Sequence, residues 1–516
     1  MNTTSKTMLA FSLIVMVFVI TFVVQSHLFL SWDVVWYGEA AERLLKGGHY
    51  TQNFFEPNPP LVIFISLIPI GLSKILSIPM ETSVRLFTLA IASLSLWLVY
   101  GIKPRIFLLL ILLFIYCFVP LYEFGQRSHL MLMMIMPYLF SASLVVENKK
   151  VPYGFMIGLL AGIGFCFKPY YAVTFFLVEI GIFWKSQSFK SLFRSETIAI
   201  FTIVLLYFLS ILIWTPDYLT VVLPMVITLY ISHGKTIALE LMRAEGVLLW
   251  GSALILFFIG KIKASYQDAD LLTVLIIASF GMAFSYFIQA QTWYYHEYPL
   301  IALSFLIVAL LGSEMWRRVF SIQKYIYIGV TGIIAVGFIA FIGLKITKMT
   351  SPNYVYTRAV QEVIAATQAV SRTGPIYVFS TSMEPRASLH HKAGYESASR
   401  FPDFWMIAGI VQLSHQSLNR EKKGLLNQQA DQIRQWVVED FEHHAPCIVL
   451  IDIQKPNYLI NDPAFQYLDF LTQNASFAAL WKRYHYQITS HHYAIYKRND
   501  CEKGATRNLA PFHNRS

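Results

Sequence analysis

Apolar residues fall in long blocks separated by short polar loops, and these blocks set the architecture. Blocks of spanning or near-spanning length lie at about 8–30, 82–100, 106–122, 130–146, 151–167, 169–184, 196–214, 246–260, 271–288, 298–312 and 325–345. Each approaches the roughly 20 residues a helix needs to cross a hydrocarbon core. Two further stretches, 60–76 and 218–231, are apolar but ambiguous between a crossing and a helix on the outer surface. The first block exceeds a signal-peptide core of about 7–15 residues and is followed by no small-residue cleavage site, which predicts a retained helix. From about 350 the pattern changes. PIYVFS (375–380), CIVLID (447–452) and YHYQITSHHYAIYK (484–497) read as strands, and 355–371 and 424–441 as amphipathic helices. The predicted fold class is a polytopic all-α membrane bundle of about 11 crossings, up to 13, followed by a small α/β or α+β domain.

Charge orients the bundle. Lys103 and Arg105, Lys149 and Lys150, Lys185 to Arg194, Lys261 and Lys263, and Arg317 with Arg318 share one side if the eleven blocks cross and the two ambiguous ones do not. That side is predicted to be cytoplasmic. Parity then puts the N-terminus inside and everything after Lys348 outside, in a bacterial host the inner membrane and its outer face. The expected division is a membrane domain over 1–348, with a first outer loop at 31–59 and an outer juxtamembrane helix at about 216–244, an extracytoplasmic domain over 349–500, and a disordered tail over 501–516.

Composition supports the membrane assignment. Of the 516 residues, 56% are hydrophobic and 14% charged, against about 25% charged in soluble chains. The net charge of +10 is explained by orientation bias, and no nucleic-acid partner is expected. The four cysteines form no metal spacing. Cys117 and Cys166 lie in apolar blocks, and Cys447 and Cys501 pair only if the fold brings them together.

Under this topology the outer face gathers five polar clusters: Asp33 to Asn58, YEFGQRSHL (122–130), CFKPYY (166–171), TPDY (215–218) and QAQTWYYHEYP (289–299). If the segment after Ser31 is helical, Asp33, Tyr37, Ala41 and Leu44 form one stripe. Asp33 then either complements the helix dipole or is a reactive carboxylate. Glu56 and Asn58 stand in the FFEPNPPL turn, whose prolines serve equally to reverse the chain. Arg127, beside His129, either snorkels or meets a ligand. Lys168 interrupts an apolar run, as buried membrane charges facing a cavity or partner do. Tyr294 and His296 sit where an aromatic belt is also expected, although His296 and Glu297 exceed what a belt needs. Cations and a carboxylate at an outer leaflet suit a lipid phosphate. Lys and Arg hold its oxygens, while the carboxylate takes a proton from an incoming hydroxyl. A phosphate-linked sugar is a fitting donor because its leaving group needs electrostatic stabilisation more than protonation. No P-loop or G-x-G-x-x-G fingerprint is present.

DVVWYGEAAERLLKG (33–47), EPNPPL (56–61), GQRSHL (125–130), KPYY (168–171) and WYYHEYP (293–299), in this order over roughly 1–345, resemble the GT-C fold glycosyltransferases. The resemblance is nearest to the bacterial relatives of protein O-mannosyltransferases and lipid A aminoarabinose transferases, the RgtA/B/C/D-like group. It implies inverting transfer of a hexosyl or pentosyl unit from a polyprenyl-phosphate sugar donor to a lipid, glycan or protein acceptor outside the membrane. Asp33 takes the place of the first-loop catalytic acid–base residue or metal contact. Phosphate contacts are expected from Arg127, Lys168 and His296. Tyr37, Glu56, Asn58, His129 and Tyr294 are further substrate contacts, and Glu56 orients the acceptor or joins Asp33 on a divalent cation. The chain departs from the family pattern at Val34 and Asn58, where a second acid and a lysine are common, and at Gln126, Arg127 and His129, where an aspartate is often found. The competing class is a membrane transporter or lipid flippase, which predicts midplane charges, paired broken helices and an internal repeat. This sequence places its acids at one surface and shows no internal repeat.

Overall fold

The computed structural model describes residues 3–230, 238–259, 268–318, 322–350 and 355–501. It divides into two compact units. The first comprises Met1–Val34, Ile68–Ser210 and Lys235–Ser351, the second Val35–Leu67, Ile211–Gly234 and Pro352–Ser516. The Lys261 and Lys263 loop, the HGK stretch at 233–235 and the tail from 502 lie outside the described residues.

Every one of the eleven apolar blocks forms a helix. They are α1 (Thr3–His27), α4 (Met80–Ile102), α5 (Ile106–Cys117), α6 (Arg127–Val146), α7 (Gly154–Phe167), α8 (Ala172–Ser186), α9 (Ser195–Trp214), α12 (Glu245–Ile259), α13 (Ala269–Gln289), α14 (Tyr294–Arg318) and α15 (Ile322–Thr350). Among the described residues six of these (α4, α6, α9, α13, α14 and α15) are long and apolar enough to cross a membrane unaided, and α1 with α2 (Trp32–Leu45) makes a seventh if the bent pair is counted as one span. The chain is an integral membrane protein. Helices α5, α7, α8 and α12 have only 12 to 15 residues. At 1.5 Å per residue they fall short of a core about 30 Å thick. Irregular backbone at their ends is tolerable where protein surrounds it, and Phe167 at the end of α7 and Val119 beyond α5 are indeed buried. The two ambiguous stretches form α3 (Leu61–Leu76), with Pro69 inside it, and α10 (Tyr218–Tyr230).

Helix α6 is the axis of the first unit. It is buried from Arg127 to Leu144 and packs against α4, α7 and α13. Met131, Met133, Met134 and Met136 supply its side chains there, unbranched groups that adapt to uneven neighbours. Helices α8 and α13 approach so closely that a Cβ on Gly281 would lie 2.6 Å from Thr174 Cα. Between α1 and α2 the chain turns by 89°. Three hydrogen bonds fix that turn: Gln25 Nε2 donates to Leu121 O at 3.0 Å, Ser31 N to Tyr122 O at 3.0 Å, and Arg85 Nη2 to Leu28 O at 3.2 Å. The break therefore belongs to the loop between α5 and α6.

The second unit contains an α+β fold. Its sheet order is β1-β2-β4-β3, with β1 (Ile376–Phe379) parallel to β2 (Ile448–Asp452), and β4 (Tyr493–Arg498) antiparallel to both β2 and β3 (Tyr484–Ser490). All residues of β1 and β2 are buried, as continuous apolar runs predict for strands covered on both faces, although β1 is an edge strand of the sheet. The third predicted strand is a hairpin that turns at His491, φ 50°. Helices α16 (Val355–Val370) and α19 (Arg420–His444) match the amphipathic stretches; α19 is capped by Asn419, whose side chain accepts from Lys422 N at 2.9 Å. Helices α17 (Arg386–His391) and α18 (Trp405–Ser414) complete the elements used below. Cys447 and Cys501 form a disulfide with Cα atoms 5.2 Å apart.

Candidate active site

Asp33 is the second residue of α2, in its first turn, where the helix dipole favours a carboxylate. Its Oδ2 accepts a hydrogen bond from Gln126 Nε2 at 3.2 Å. Gln126 is also the N-cap of α6, because its Oε1 accepts from Ser128 N at 2.6 Å. One amide thus caps a central helix with its oxygen and holds Asp33 with its nitrogen. Ser128 Oγ in turn accepts from Lys168 Nζ at 2.7 Å. Lys168 closes α7 in an extended conformation just before Pro169 and is 2% exposed. Its ammonium lies 4.6 Å from the Tyr295 ring centre and 5.9 Å from that of Tyr170, an aromatic cradle for a cation. Burial lowers the affinity of Lys168 for its proton, and neighbouring Arg127 lowers it further, while Asp33 and Glu123 oppose both. Arg127, the first residue of α6, is buried as well.

Glu123 is the residue that the sequence reading passed over. It ends a 3-10 turn, Leu121–Glu123, between α5 and α6, and is 4% exposed. Its Oε2 has no hydrogen-bond partner among the described residues. Burial pushes its carboxyl up to about 8; a hydrogen bond from Ser31 counters this, the Asp33 charge adds to it, and Lys168 pulls it back. The acid was visible in YEFGQRSHL, but the sequence reading weighed only the cations and imidazole of that loop. Its signal is the coincidence of an outer-loop acid with the same turn as Arg127.

The other expected residues divide into two groups. In the first unit, His296 is buried beside Tyr295, ring centres 4.3 Å apart, and its Nδ1 lacks a partner among the described residues. His129 Nδ1 accepts from Gly125 N at 3.0 Å, and its ring stands edge-on to Tyr298, tying the turn together. Tyr294 Oη donates to Val119 O at 2.5 Å, and Glu297 accepts from Gly246 N at 3.1 Å at the opening of α12. Tyr37, Glu56 and Asn58 belong to the second unit. There Glu56 Oε2 accepts from Trp36 Nε1 at 2.7 Å, and Oε1 accepts from Asn58 N at 2.8 Å and from the Asn58 amide. Tyr37 is buried on α2. Among the described residues no group of three or more His, Cys, Asp or Glu side chains is placed to hold a metal ion. Both Glu56 oxygens are occupied by N–H donors.

The structure thus brings Asp33, Glu123, Arg127 and Lys168 into one electrostatic neighbourhood, linked through Gln126 and Ser128. A half-buried carboxylate beside a buried carboxyl, guanidinium and lysine can bind an anion and move a proton.

The fold is that of a GT-C-type membrane bundle with a small α+β domain. The chain is similar to the crystal structure of ArnT from Cupriavidus metallidurans bound to undecaprenyl phosphate, with a TM-score of 0.55 and 10% sequence identity over 96% of this chain and 98% of that one. The apo-state crystal structure of the same protein gives 0.43 and 10% over the same shares. No family model matches the chain, and no curated protein sequence does. At this identity the likeness is one of fold.

Proposed function

We propose that the protein is an integral-membrane glycosyltransferase that moves a sugar from a polyprenyl-phosphate donor to an acceptor hydroxyl on the outer face. The observation that carries this reading is the run Asp33–Gln126–Ser128–Lys168, which ties a carboxylate to a buried lysine through two intervening side chains. Lys168 and Arg127 hold the donor phosphate by charge-assisted hydrogen bonds. Asp33 receives the acceptor proton as the hydroxyl oxygen attacks the anomeric carbon from the face opposite the phosphate, inverting that centre. The similar ArnT crystal structure holds undecaprenyl phosphate, a donor carrier of the chemistry inferred here. His296 lines the phosphate side. Tyr37, Glu56 and Asn58 act from the first outer loop, Glu56 by fixing it to Trp36.

In this reading residues 1–348 form the transferase bundle, and 349–500 form an extracytoplasmic domain. The Cys447–Cys501 disulfide supports an oxidising compartment for that domain. The test is a lipid-extract comparison of wild-type cells, a deletion strain and the strain carrying Asp33→Asn. The deletion and the variant are both expected to accumulate the same prenyl-phosphate sugar. Full transfer by Asp33→Asn would overturn the assignment.

A further inference from the structure

Glu123 has no part in the reaction as derived so far, yet its surroundings are unlike those of a structural acid. A buried carboxyl that merely braces a loop has its oxygens satisfied. Here the Ser31 and Tyr122 side chains hydrogen-bond to the carboxyl, yet its Oε2 meets no donor or acceptor among the described residues. The charged and titratable groups that act on it or feel its charge include Asp33 on α2, Lys168 at the end of α7 and Tyr294 on α14. The turn itself is pinned to the α1–α2 break by Ser31 N to Tyr122 O and by Gln25 to Leu121 O. The backbone that carries Glu123 is therefore held to the same break that positions Asp33.

We propose that Glu123 is a second catalytic carboxyl, which enters the cycle protonated and delivers its proton to the departing phosphate. This rests on the donor reading given above and adds to it a route for the proton. The acceptor oxygen forms its bond to the anomeric carbon, and the bond from that carbon to the phosphate oxygen breaks. The acceptor proton goes to Asp33, and the Glu123 proton goes to the phosphate oxygen. Transfer of the proton from Asp33 to Glu123, two acids in one electrostatic neighbourhood, then restores both groups. In sum, the acceptor loses one proton and the polyprenyl phosphate gains one. The deprotonated carboxylate that a solvated glutamate would present to phosphate is the wrong group here, since two anions repel at close range in a poorly solvated site. Burial keeps the proton on Glu123 at neutral pH, with its carboxyl at about 8.

The test uses the full-length protein in nanodiscs, with polyprenyl phosphate as the probe, and compares wild type with Glu123→Gln between pH 6 and 10. Glutamine retains an N–H donor but has no titrating proton. The ratio of wild-type to variant Kd is expected to be near one at low pH and to rise about tenfold per pH unit once wild-type Glu123 ionises. The titration of the phosphate itself is common to both proteins and cancels in that ratio. Because the Glu123 charge also acts on Lys168, the same pair is compared on a Lys168→Met background, where the rise with pH is expected to persist. In membranes containing the host's own prenyl-phosphate sugar, the variant is expected to transfer about a hundredfold more slowly despite binding well. A ratio that stays constant with pH, or wild-type turnover by Glu123→Gln, would overturn the proposal. Thermal unfolding of both proteins at pH 6 checks that the variant is folded. Failure of the wild type to bind the probe at any pH would instead strike down the donor reading, and this proposal with it.

Discussion

The ion pairs around Trp36 and Arg400 in the second unit and the turn at Glu123 in the first bury charge in different ways. In the second, Glu39 on α2 accepts from Arg386 Nη1 at 2.7 Å and from Arg43 Nη2 at 2.5 Å. The two guanidinium groups lie 4.9 and 5.7 Å from the Trp36 ring centre. Arg400 reaches Asp440 at 2.8 Å, Glu439 at 2.9 Å and Thr51 O at 3.1 Å, and Tyr377 Oη completes Asp440 at 3.0 Å. These acids have their oxygens filled, and Arg386 Nη2 is the exception among the donors. In the first unit, Glu123 Oε2 and His296 Nδ1 are buried and unfilled. A buried polar group left open carries a desolvation cost of about 1–3 kcal/mol. Paired charges build both units, as Arg105 with Asp268 at 2.6 Å and Arg194 with Glu179 at 2.7 Å do in the first, and the open atoms at Glu123 and His296 are the ones the proposed donor would meet.

The largest expected effect breaks the chemistry alone. Asp33→Asn removes the proton acceptor and should lower transfer by about a thousandfold, measured as accumulation of prenyl-phosphate sugar, with unfolding temperature little changed. Arg386→Met should do the reverse. Losing one partner of a buried pair costs about 3–5 kcal/mol of stability, read by thermal unfolding, while the folded fraction still binds polyprenyl phosphate. If Arg386→Met were neutral for stability, the division between building charges and working charges would fail. Lys168→Met comes next. It should weaken polyprenyl phosphate binding by about 1.5–3 kcal/mol, the worth of a charge-assisted hydrogen bond, as titrated in nanodiscs.

Glu123 ties the comparison to pH. Its folded-state affinity for protons is raised above the ordinary glutamate value of 4.5, to about 8. The folded protein therefore binds more protons than the unfolded chain between those values, and stability falls as pH rises through that window. Glu123→Gln should remove this contribution, so that its unfolding temperature declines less than that of wild type between pH 5 and 8. Parallel declines would mean that the carboxyl is not buried as described.

Much of this architecture is legible in the sequence because it is periodic or continuous. The apolar blocks and the strands Ile376–Phe379 and Ile448–Asp452 follow from runs that need no partner to be recognised. The allegiance of residues 35–67 is not of this kind. They belong to the same compact unit as the C-terminal domain, joined through contacts such as Phe55 N to Arg400 O at 2.7 Å and Arg43 to Ser399 O at 2.8 Å. Pairings across some 350 positions leave no local pattern. Glu56 reads as an available carboxylate until Trp36 and Asn58 are seen to fill it. Glu123 reads as loop polarity until the turn beneath it buries the side chain. Lys168 was legible because a lone lysine in an apolar run is anomalous wherever it lands.

The smallest predicted effect separates the two tasks of Gln126. Its oxygen caps α6 and its nitrogen holds Asp33, so the two functions reside on opposite ends of one amide. Gln126→Ala deletes both and should cost about 1 kcal/mol through the lost cap, as well as slowing transfer. Gln126→Glu keeps an acceptor for Ser128 N, and its negative charge suits a helix N-terminus, so the cap survives. What it loses is the N–H given to Asp33, replaced by a like charge beside a carboxylate. Transfer should then fall about tenfold. Because Gln126 is fully buried, the added charge should also lower the unfolding temperature at neutral pH, two anions repelling at close range. That loss should shrink as the pH falls and one of the two carboxyls takes up a proton. A stability loss that does not change with pH would show that the N–H given to Asp33 itself braces the fold, and Asp33 would then belong with paired charges such as Glu39 and not with the open ones around Lys168.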